Sequence, residues 1–442
     1  MTTRWFGTDG IRGRVGSLPM TPEFCLRLGA AAGRVFGEGS TVLIGKDTRI
    51  SGYLFESVLQ SGLVSAGVHV LLVGPMPTPA IAYLTQAFRA EGGIVISASH
   101  NPFYDNGIKF FDGQGEKLAS SVEASIEREL EADPTCLPAE RLGKARRVDD
   151  ALGRYIEYCK ARVGLGVSLR GLKIVVDAAH GACYQAAPAV MSELGADVTA
   201  IGDQPDGMNI NLNCGSVHPQ SLADETRARR ADFGLALDGD GDRLIMADAT
   251  GRIYDGDALL YMLAGHKQRR GRLGDGGVVM SEMSNLGLGM ALAKTGVETR
   301  TVPVGDRQIR RELVSLGWSL GGEPSGHLLM LDLAPTGDGI LAALQVMQAA
   351  VLEGKSLAEL CQGFDPLPSV LRNVPVASPR RVVGELDACG ALGEAKSAIG
   401  SSGRLLVRPS GTEDLVRILV EGPDADFNCS LADQLVEKVR AA

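Results

Sequence analysis

The chain has 442 residues, too many for one ordinary hydrophobic core, so several domains are expected. Its composition, 45% hydrophobic and 22% charged, is that of a globular protein, and its net charge of −9 excludes broad nucleic-acid binding, which needs a basic face. The 57 glycines and the 5% aromatic content favour a loop-rich α/β enzyme over a β-sandwich.

The eight cysteines are scattered along the chain, with no Cys-x-x-Cys pair. This pattern is typical of reduced thiols and not of a disulfide framework or a zinc site. We find no apolar export segment near the first residue and no run that approaches the length of a membrane span. We therefore expect a cytoplasmic protein that associates with neither membrane nor nucleic acid.

Three stretches of the chain share one order of predicted elements: a strand, a helix, a glycine that ends the helix, and a second strand. The first strands of these copies lie at 41–45, 172–178 and 277–281. Each copy continues with another helix and a short strand, and these last strands lie at 93–97, 233–237 and 318–322. The alternation predicts three similar α/β domains with mixed or parallel sheets.

The remainder of the chain is different and follows a proline-containing segment, "DPLPS", at 365–369. Strands at 370–376, 404–408 and 415–422, one helix near 382–399 and a final helix predict a smaller α+β domain. A polar stretch at 133–150 predicts the end of the first domain. The expected domains are 1–150, 151–252, 253–366 and 367–442.

A polar loop follows the last strand of each copy: "SASHNP" at 97–102, "DGDGDR" at 238–243 and "EPSGH" at 323–327. All three loops occupy the carboxyl end of a strand, which is where open α/β sheets bind ligands. A fourth polar loop, "RPSGTED" at 408–414, follows a strand of the smaller domain.

The second loop carries Asp238, Asp240 and Asp242, which alternate with glycines after a buried strand. Three carboxylates this close repel one another unless a hard cation binds them. A solvated acidic turn is the alternative, but three carboxylates in register favour a metal site. They leave room for a further ligand, which suits Mg²⁺ shared with a phosphate, and Arg243 would contact that phosphate.

The first loop carries Ser99, whose hydroxyl needs a base or a metal to become reactive. Ser99 lies in no Gly-x-Ser-x-Gly elbow, and the adjacent His100 is expected to point away from it. A phosphate on Ser99, joined through Mg²⁺ to the three aspartates, explains both loops, and Ser99 then belongs to the metal site. Lys109 could neutralise or deprotonate nearby hydroxyls; the alternative is an exposed strand lysine.

The other two loops have the composition of ligand-binding loops, although each could be an ordinary turn. Glu323, Ser325 and His327 suit the recognition of sugar hydroxyls, and His327 could also transfer a proton. The fourth loop offers a guanidinium, hydroxyls and freed backbone amides, a combination that suits a phosphate. Its candidate phosphate-binding residues are Arg408, Ser410, Gly411, Thr412 and Arg417.

In this order and at these spacings the four motifs resemble the α-D-phosphohexomutase superfamily along essentially the whole chain. The opening "FGTDGIRG" at 6–13 is similar to the branch that acts on hexosamine phosphates. Two positions depart from that branch, Pro324 where glutamine is usual and Asp414 where proline is usual. Neither departure removes a group with assigned chemistry, but Pro324 bears on the selectivity for amino sugars.

The resemblance implies four domains around a central cleft, a phosphoserine at Ser99, one Mg²⁺ per subunit and a sugar 1,6-bisphosphate as intermediate and activator. It also implies proton transfer by Arg12, Lys109 or His327, and Ser99 and His100 complete the candidate catalytic residues. The implied reaction converts glucosamine 6-phosphate into glucosamine 1-phosphate, for UDP-N-acetylglucosamine and peptidoglycan synthesis. A phosphoglucomutase/phosphomannomutase is the alternative within the superfamily, and a metal-dependent phosphatase or a non-catalytic sugar-phosphate sensor lies outside it. The expected partner is the hexosamine phosphate; a homodimer remains open.

Overall fold

The computed structural model describes residues 4–7, 9–164, 167–273, 276–410 and 414–441. The chain divides into two units, Met1–Glu282 with Glu298–Cys361, and Met283–Val297 with Gln362–Ala442. The first unit contains three sheets and the second contains one. Among the helices of these described ranges, none is both long and apolar enough to cross a membrane.

The first sheet has six strands, and four helices accompany it. The strands are Ile11–Arg14 (β1), Thr41–Lys46 (β2), His69–Pro75 (β3), Gly92–Ile96 (β4), Asp105–Asp112 (β5) and Ala145–Arg147 (β6), in the spatial order β1-β5-β4-β2-β3-β6. The helices are Pro22–Phe36 (α1), Ile50–Ser65 (α2), Thr78–Ala87 (α3) and Ser120–Glu129 (α4). Strands β2, β3, β4 and β6 run parallel, whereas β1 and β5 are antiparallel to their neighbours. Strand β6 lies in the polar stretch that was predicted to end the first domain, where it adds an edge strand to the sheet.

The second sheet repeats this plan with five strands. They are Lys173–Asp177 (β7), Asp197–Ile201 (β8), Phe233–Leu237 (β9), Leu244–Ala247 (β10) and Ile253–Tyr254 (β11), in the order β11-β10-β9-β7-β8. The accompanying helices are Ala151–Lys160 (α5), Ala186–Glu193 (α6) and Gln220–Arg229 (α7). Strands β7, β8 and β9 are parallel, and the turn after β9 reverses the chain into antiparallel β10.

The third sheet has four strands. They are Val278–Ser281 (β12), Thr299–Val302 (β13), Leu320–Gly322 (β14) and Leu328–Met330 (β15), in the order β13-β12-β14-β15. Helices Gly256–Arg269 (α8), Asp306–Leu316 (α10), Gly339–Glu353 (α11) and Leu357–Leu360 (α12) belong to the same unit. Helix Leu286–Lys294 (α9) belongs to the other unit, although its chain position made it part of the third predicted copy.

The second unit is built on a three-stranded antiparallel sheet. Its strands are Ser369–Pro375 (β16), Arg404–Pro409 (β17) and Leu415–Glu421 (β18), in the order β16-β18-β17, with helices Pro379–Ala388 (α13), Ala391–Ile399 (α14) and Ala425–Ala441 (α15). The single helix predicted near 382–399 is wrong. Gly390, with a φ of +79°, breaks it, because a residue in the left-handed region cannot continue an α-helix. The three mixed sheets and this smaller sheet confirm the predicted fold class.

Glycines permit a close crossing of α1 and α2 in the first domain. A Cβ at Gly62 on α2 would lie 2.3 Å from the carbonyl oxygen of Leu26 on α1. A Cβ at Gly29 on α1 would lie 2.5 Å from the carbonyl oxygen of Leu59. The two helix backbones therefore touch, and both positions require glycine for space and not for a special φ.

We expect Gly62→Ala to lower the thermal midpoint of unfolding, because the added methyl group must separate two packed backbones, at a cost of about 1–3 kcal/mol. Gly153 on α5 is the matched control, since a Cβ there would meet nothing within 4 Å. Gly153→Ala should leave the midpoint unchanged or raise it by the helix propensity of alanine, up to about 1 kcal/mol. Equal midpoints for the two variants, measured by differential scanning fluorimetry, would contradict the close crossing.

A buried carboxyl group joins α5 to the start of α11. Asp338 accepts a hydrogen bond from the Leu341 backbone N–H at 2.9 Å and one from the Tyr155 hydroxyl at 2.8 Å. Burial raises the pKa of Asp338 to about 6, although these hydrogen bonds partly oppose the shift. Because the folded state holds the proton more tightly than the unfolded state, Asp338 contributes most stability below the ordinary carboxyl pKa. That contribution is lost as the pH rises through about 6.

Asp338→Asn should therefore become progressively more stable, relative to the parent protein, from about pH 4 to about pH 6.5, because only the parent must ionise a buried group. Across the whole titration, the free energy of unfolding of the variant relative to the parent should rise by about 3 kcal/mol, because the folded and unfolded pKa values of Asp338 differ by about two. Asparagine keeps an oxygen for the helix cap. The measurement is the difference between the two thermal midpoints across this pH range. A difference that is constant with pH would show that Asp338 does not titrate there.

Candidate active site

The loops that follow β4 and β9 meet at one hydrogen bond. The Ser99 hydroxyl, on the loop after β4, donates to Asp238 Oδ2, on the loop after β9, at 2.6 Å. Both residues are buried. The loops also touch through their backbones, because a Cβ at Gly239 would lie 2.6 Å from the Ser99 carbonyl oxygen. Two motifs that are 139 residues apart in the chain therefore share one site.

The backbone at Ser99 turns its side chain towards His100. Ser99 has a φ of +53°, in the left-handed region, and its Oγ lies 3.3 Å from His100 Nδ1. The expectation that His100 points away from Ser99 is wrong, because it assumed the alternation of an extended strand. Burial lowers the pKa of His100 to about 3, and the charges of Arg243 and Arg12 act in the same direction. The imidazole is therefore neutral at physiological pH.

Asp238, Asp240 and Asp242 form a buried acidic cluster. Each offers a carboxylate oxygen, and these oxygens all lie within 4.8 Å of one another. Burial and the charges of the other two aspartates raise the pKa of Asp238 well above its ordinary value. Oδ1 of Asp240 and Oδ1 of Asp242 have no hydrogen-bond partner within the described ranges. Hard oxygen ligands that are buried, close together and incompletely bonded fit a divalent cation such as Mg²⁺.

Lys109, on β5, places a positive charge against this cluster. Its Nζ lies 2.8 Å from Asp240 Oδ2 and 3.8 Å from Asp242 Oδ2. The residue is 2% exposed, so the alternative of an exposed strand lysine is wrong. Burial disfavours the charge, but Asp240, Asp9 and Asp242 outweigh it and raise the pKa of Lys109 above its ordinary value. Lys109 can neutralise an anion, whereas its pKa does not suit removal of a proton.

Ion pairs extend from Lys109 towards the third sheet. Asp9 Oδ2 lies 3.1 Å from Lys109 Nζ, and Asp9 Oδ1 lies 2.5 Å from Lys117 Nζ. Lys117 Nζ in turn lies 2.5 Å from Asp306 Oδ2, at the start of α10. Arg12 also contacts Asp9. Burial raises the pKa of Asp9, but Lys109, Lys117 and Arg12 outweigh it and hold that pKa well below its ordinary value.

Arg12 contacts the Ser99 loop, and Arg243 lies next to the acidic cluster. Arg12 Nη1 donates to the Ala98 carbonyl oxygen at 3.1 Å, next to Ser99. Arg243 Nε lies 3.9 Å from Asp242 Oδ1. The Nε atoms of both arginines are buried and have no hydrogen-bond partner in the described part of the chain. Such donors suit the oxygens of a phosphate.

The backbone of the loop after β14 contacts the start of β10, directly after the acidic loop. The Gly326 carbonyl oxygen accepts a hydrogen bond from the Leu244 backbone N–H at 3.0 Å. Glu323 Oε1 accepts the Gly305 backbone N–H at 3.0 Å, and Ser325 Oγ lies 3.5 Å from Glu323 Oε2. Glu323 and Ser325, which were predicted to bind sugar hydroxyls, therefore lie on a loop next to the three aspartates.

His327 lies between two carboxylates. Its Nδ1 is 3.6 Å from Asp242 Oδ1, and its Nε2 is 3.8 Å from Asp306 Oδ2. Burial lowers the pKa of His327, but Asp242 and Asp306 outweigh it and raise the pKa to about 9. At neutral pH His327 is therefore an imidazolium that can donate a proton.

The fourth predicted loop lies in the second unit. Arg408 on β17 is directly opposite Arg417 on β18, so their side chains share one face of the sheet. Like charges in this arrangement repel, and an anion between them relieves the repulsion. Ser410 directly follows β17. Its backbone N–H donates to the Leu415 carbonyl oxygen at 2.9 Å. Gly411 and Thr412 lie outside the described residues.

Several residues at the site were not predicted from the sequence. Thr78 donates its hydroxyl to Asp240 Oδ2 at 2.6 Å, and Arg49 contacts the Ser99 loop. Asp9 and Asp306 belong to the ion pairs described above. A signal existed for Arg49: the polar run "DTRIS" follows the buried strand β2, at the same sheet edge as the Ser99 loop. No local pattern distinguishes Thr78, because a threonine at the start of a helix is ordinary.

Four domain profiles of one protein family match the chain in order. They are described as Phosphoglucomutase/phosphomannomutase alpha/beta/alpha domain I, domain II and domain III and the C-terminal domain, and they match residues 3–135, 153–251, 255–367 and 371–438. Together these matches span most of the sequence.

A curated relative, the phosphoglucosamine mutase of Thiobacillus denitrificans, is 51% identical and aligns over 100% of this chain and 98% of its own. Among solved structures, a phosphoglucomutase/phosphomannomutase family protein from Burkholderia thailandensis superposes with a TM-score of 0.82 at 24% identity, covering 100% of this chain and 98% of that one. The N-acetylphosphoglucosamine mutase of Aspergillus fumigatus, solved in complex with GlcNAc-6P and magnesium, has a TM-score of 0.67 at 18% identity, with 99% and 95% coverage. The last two similarities concern the fold.

Proposed function

This chain belongs to the phosphoglucomutase/phosphomannomutase family, and we propose that it is an isomerase that interconverts glucosamine 6-phosphate and glucosamine 1-phosphate. The observation that carries the proposal is the buried Ser99 hydroxyl, 2.6 Å from one of three clustered aspartates. The 51% identity to a phosphoglucosamine mutase over the whole chain supports the amino sugar as substrate. The amino-sugar phosphate product would serve cell-wall precursor synthesis.

The proposed reaction has two symmetrical transfers. In the first, the bond between phosphorus and Ser99 Oγ breaks, and a bond forms from phosphorus to the free hydroxyl oxygen of the substrate. The hydroxyl loses its proton and Ser99 Oγ gains one, so no proton is consumed overall. The resulting glucosamine 1,6-bisphosphate then reorients within the site. Its other phosphoryl group is transferred to Ser99 by the same exchange in reverse. Such transfers depend mainly on positioning and charge neutralisation.

Asp238, Asp240 and Asp242 would hold Mg²⁺, together with the phosphate on Ser99. When bound, the cation would neutralise charge on the transferring phosphoryl group. The positively charged side chains around the cation would also neutralise charge on this phosphoryl group. Lys109 is fixed in its charged form against Asp240, and Arg243 presents a buried Nε beside Asp242. The magnesium in the Aspergillus relative is consistent with this assignment.

His327 and His100 would have different roles. His327, whose pKa is raised to about 9, would donate a proton to a departing oxygen. His100 is neutral and its Nδ1 lies 3.3 Å from Ser99 Oγ, so it can hydrogen-bond to that oxygen, whereas its low pKa does not suit it to accept a proton. Arg12 would stabilise the phosphoryl oxygens, since its Nη1 already donates to the adjoining Ala98 carbonyl oxygen.

The sugar and its second phosphate would be held by the remaining loops. Glu323 and Ser325 would accept and donate hydrogen bonds to sugar hydroxyls. Arg408, Ser410 and Arg417, with Gly411 and Thr412 outside the described residues, would bind the phosphate that is not reacting. A mutase must hold its substrate by the far phosphate in both orientations, whereas a phosphatase has no use for a second phosphate site.

One coupled assay compares the rates of isomerisation of glucosamine, glucose and mannose phosphates and the release of inorganic phosphate. We expect the glucosamine phosphates to react fastest, with little inorganic phosphate released. A preference for glucose or mannose phosphate would assign the protein to the other activity of its family. Stoichiometric release of inorganic phosphate without isomerisation would identify a phosphatase instead.

Ser99→Ala should abolish both the phosphoenzyme and the isomerase activity, with a fall in kcat of roughly 10³-fold or more, because the nucleophile is removed. Intact-mass measurement after incubation with glucosamine 1,6-bisphosphate should show one added phosphate on the parent protein and none on the variant. Ser121→Ala is the control, since Ser121 is an exposed serine of α4. Full activity in Ser99→Ala would rule out the phosphoserine mechanism.

Asp240→Asn should weaken Mg²⁺ binding by at least about tenfold, because it removes one anionic ligand from the cluster. Calorimetric titration with Mg²⁺ measures the affinity, and the isomerase rate at saturating sugar phosphate measures the consequence. Asp224→Asn changes the net charge equally at an exposed position and should match the parent protein. An undiminished rate after removal of divalent cations by a chelator would contradict the metal site.

A further inference from the structure

Arg49 makes an unusually complete set of hydrogen bonds to the Ser99 loop. It is fully buried, at 0% exposure, between β2 and α2. Its Nη2 donates to the carbonyl oxygens of Ser99 at 3.0 Å and Asn101 at 2.8 Å. Its Nη1 donates to those of Pro102 and Asp105. Three backbone carbonyls of this loop and that of Asp105, the first residue of β5, therefore converge on a single guanidinium.

The fifth donor of Arg49 is also occupied. Its Nε donates to Asp47 Oδ2 at 2.8 Å, and Asp47 also accepts the Ser97 hydroxyl at 2.6 Å. Ser97 Oγ accepts the Ser99 backbone N–H at 2.9 Å. A guanidinium has five N–H donors in a rigid fork, and here each has an acceptor. A lysine, with three donors around a single point, cannot reproduce this set.

A second residue holds the same carbonyls from the second domain. Asn211 Nδ2 donates to the Ser99 carbonyl oxygen at 2.9 Å and to that of Asn101 at 3.2 Å. The Ser99 peptide groups are therefore held on both sides, the N–H by Ser97 and the carbonyl by Arg49 and Asn211. These contacts offset the strain of the left-handed φ at Ser99, which costs about 1–2 kcal/mol for a residue other than glycine.

None of these contacts involves Ser99 Oγ. The hydrogen bond from that hydroxyl to Asp238 needs the hydroxyl proton, which a phosphoserine no longer has. The bond is therefore lost each time Ser99 is phosphorylated, whereas the contacts of Arg49, Asn211 and Ser97 with the backbone can persist. The loop can thus keep one position in both covalent states of the serine.

We propose that Arg49, assisted by Asn211, is a positioning residue that holds the Ser99 backbone in place for phosphoryl transfer in both its phosphorylated and its free state. The inference rests on the proposed function, because it presupposes that Ser99 carries the phosphate. Arg49 acts through the loop and does not touch the reacting atoms. Loss of Arg49 should therefore lower the rate of phosphoryl transfer to the sugar and raise the fraction of phosphate lost to water. It should leave substrate affinity largely intact.

The test compares Arg49→Lys, Asn211→Gly and the control Glu56→Gln in the full-length protein. Glu56 forms a buried ion pair with Lys46 at 2.5 Å in the same domain, and within the described residues no hydrogen bond or ion pair joins it to the Ser99 loop, so its loss reports destabilisation alone. Glycine at 211 tolerates the left-handed backbone of Asn211 and removes the side-chain amide that donates to the loop. Asn211→Gly also provides a readout if Arg49→Lys fails to fold.

For Arg49→Lys we expect kcat to fall about 10²-fold at nearly unchanged KM, since displacing a reacting group by about 1 Å has that effect. The phosphoenzyme, formed with glucose 1,6-bisphosphate as probe, should lose a larger fraction of its phosphate to water per isomerisation. Asn211→Gly should change both quantities in the same direction by a smaller factor. Glu56→Gln should lower only the thermal midpoint.

Two failures can be told apart by intact mass. If the parent protein accepts phosphate but the Arg49 and Asn211 variants match Glu56→Gln in kcat and in the fraction hydrolysed, the positioning role is overturned and the proposed function stands. An increase in KM without a change in kcat would also overturn the role. If the parent protein accepts no phosphate at all, the proposed function fails, and the positioning role fails with it.

Discussion

The concentration of buried charge at the strand ends of the first unit is the constraint on which the rest of the structure depends. Three carboxylates that lie within 4.8 Å of one another cannot stay ionised in a protein interior without compensation. Lys109 from the first sheet approaches Asp240, and His327 from the third domain approaches Asp242. The charges that suit a phosphoryl-transfer site therefore also hold the three α/β domains of this unit together.

The repeated α/β plan explains how such different groups come together. Each domain presents the loop after one strand at the same sheet edge, and each loop carries a different chemistry: a hydroxyl, a set of carboxylates, and a carboxylate with an imidazole. Close contact between loops requires glycine at particular places. A Cβ at Gly326 would lie 2.1 Å from the Leu244 carbonyl oxygen, and one at Gly337 would lie 2.7 Å from the His327 ring.

Different groups hold the backbone of Ser99 and contact its hydroxyl. The backbone around Ser99 is held by Arg49, Asn211 and Ser97, whereas its hydroxyl faces the acidic cluster and His100. The two histidines of the site also differ in protonation. Burial keeps His100 neutral, whereas neighbouring carboxylates keep His327 charged. Two histidines of one site can thereby have opposite protonation states at the same pH.

The sequence by itself determined the features that depend on short-range pattern. Apolar runs and glycine stops predicted the strands and the repeated plan, and the spacing of Asp238, Asp240 and Asp242 predicted a cluster, because residues so close in a tight loop remain close in any fold. The motifs also predicted that Ser99 shares its site with these aspartates, since equivalent strand ends of similar domains present equivalent loops.

Only the tertiary structure decided which distant charges meet and how the loop backbone turns. Lys117 and Asp306 are far apart in the chain, and nothing in either local sequence indicates their 2.5 Å contact. His100 faces Ser99 because contacts from other segments stabilise a left-handed backbone there, whereas a local pattern predicts an extended chain. The break at Gly390 shows the same limit, since apolar periodicity continues through a residue whose φ ends the helix. Periodicity reports which residues are buried, but backbone dihedrals and long-range ion pairs depend on what packs against them.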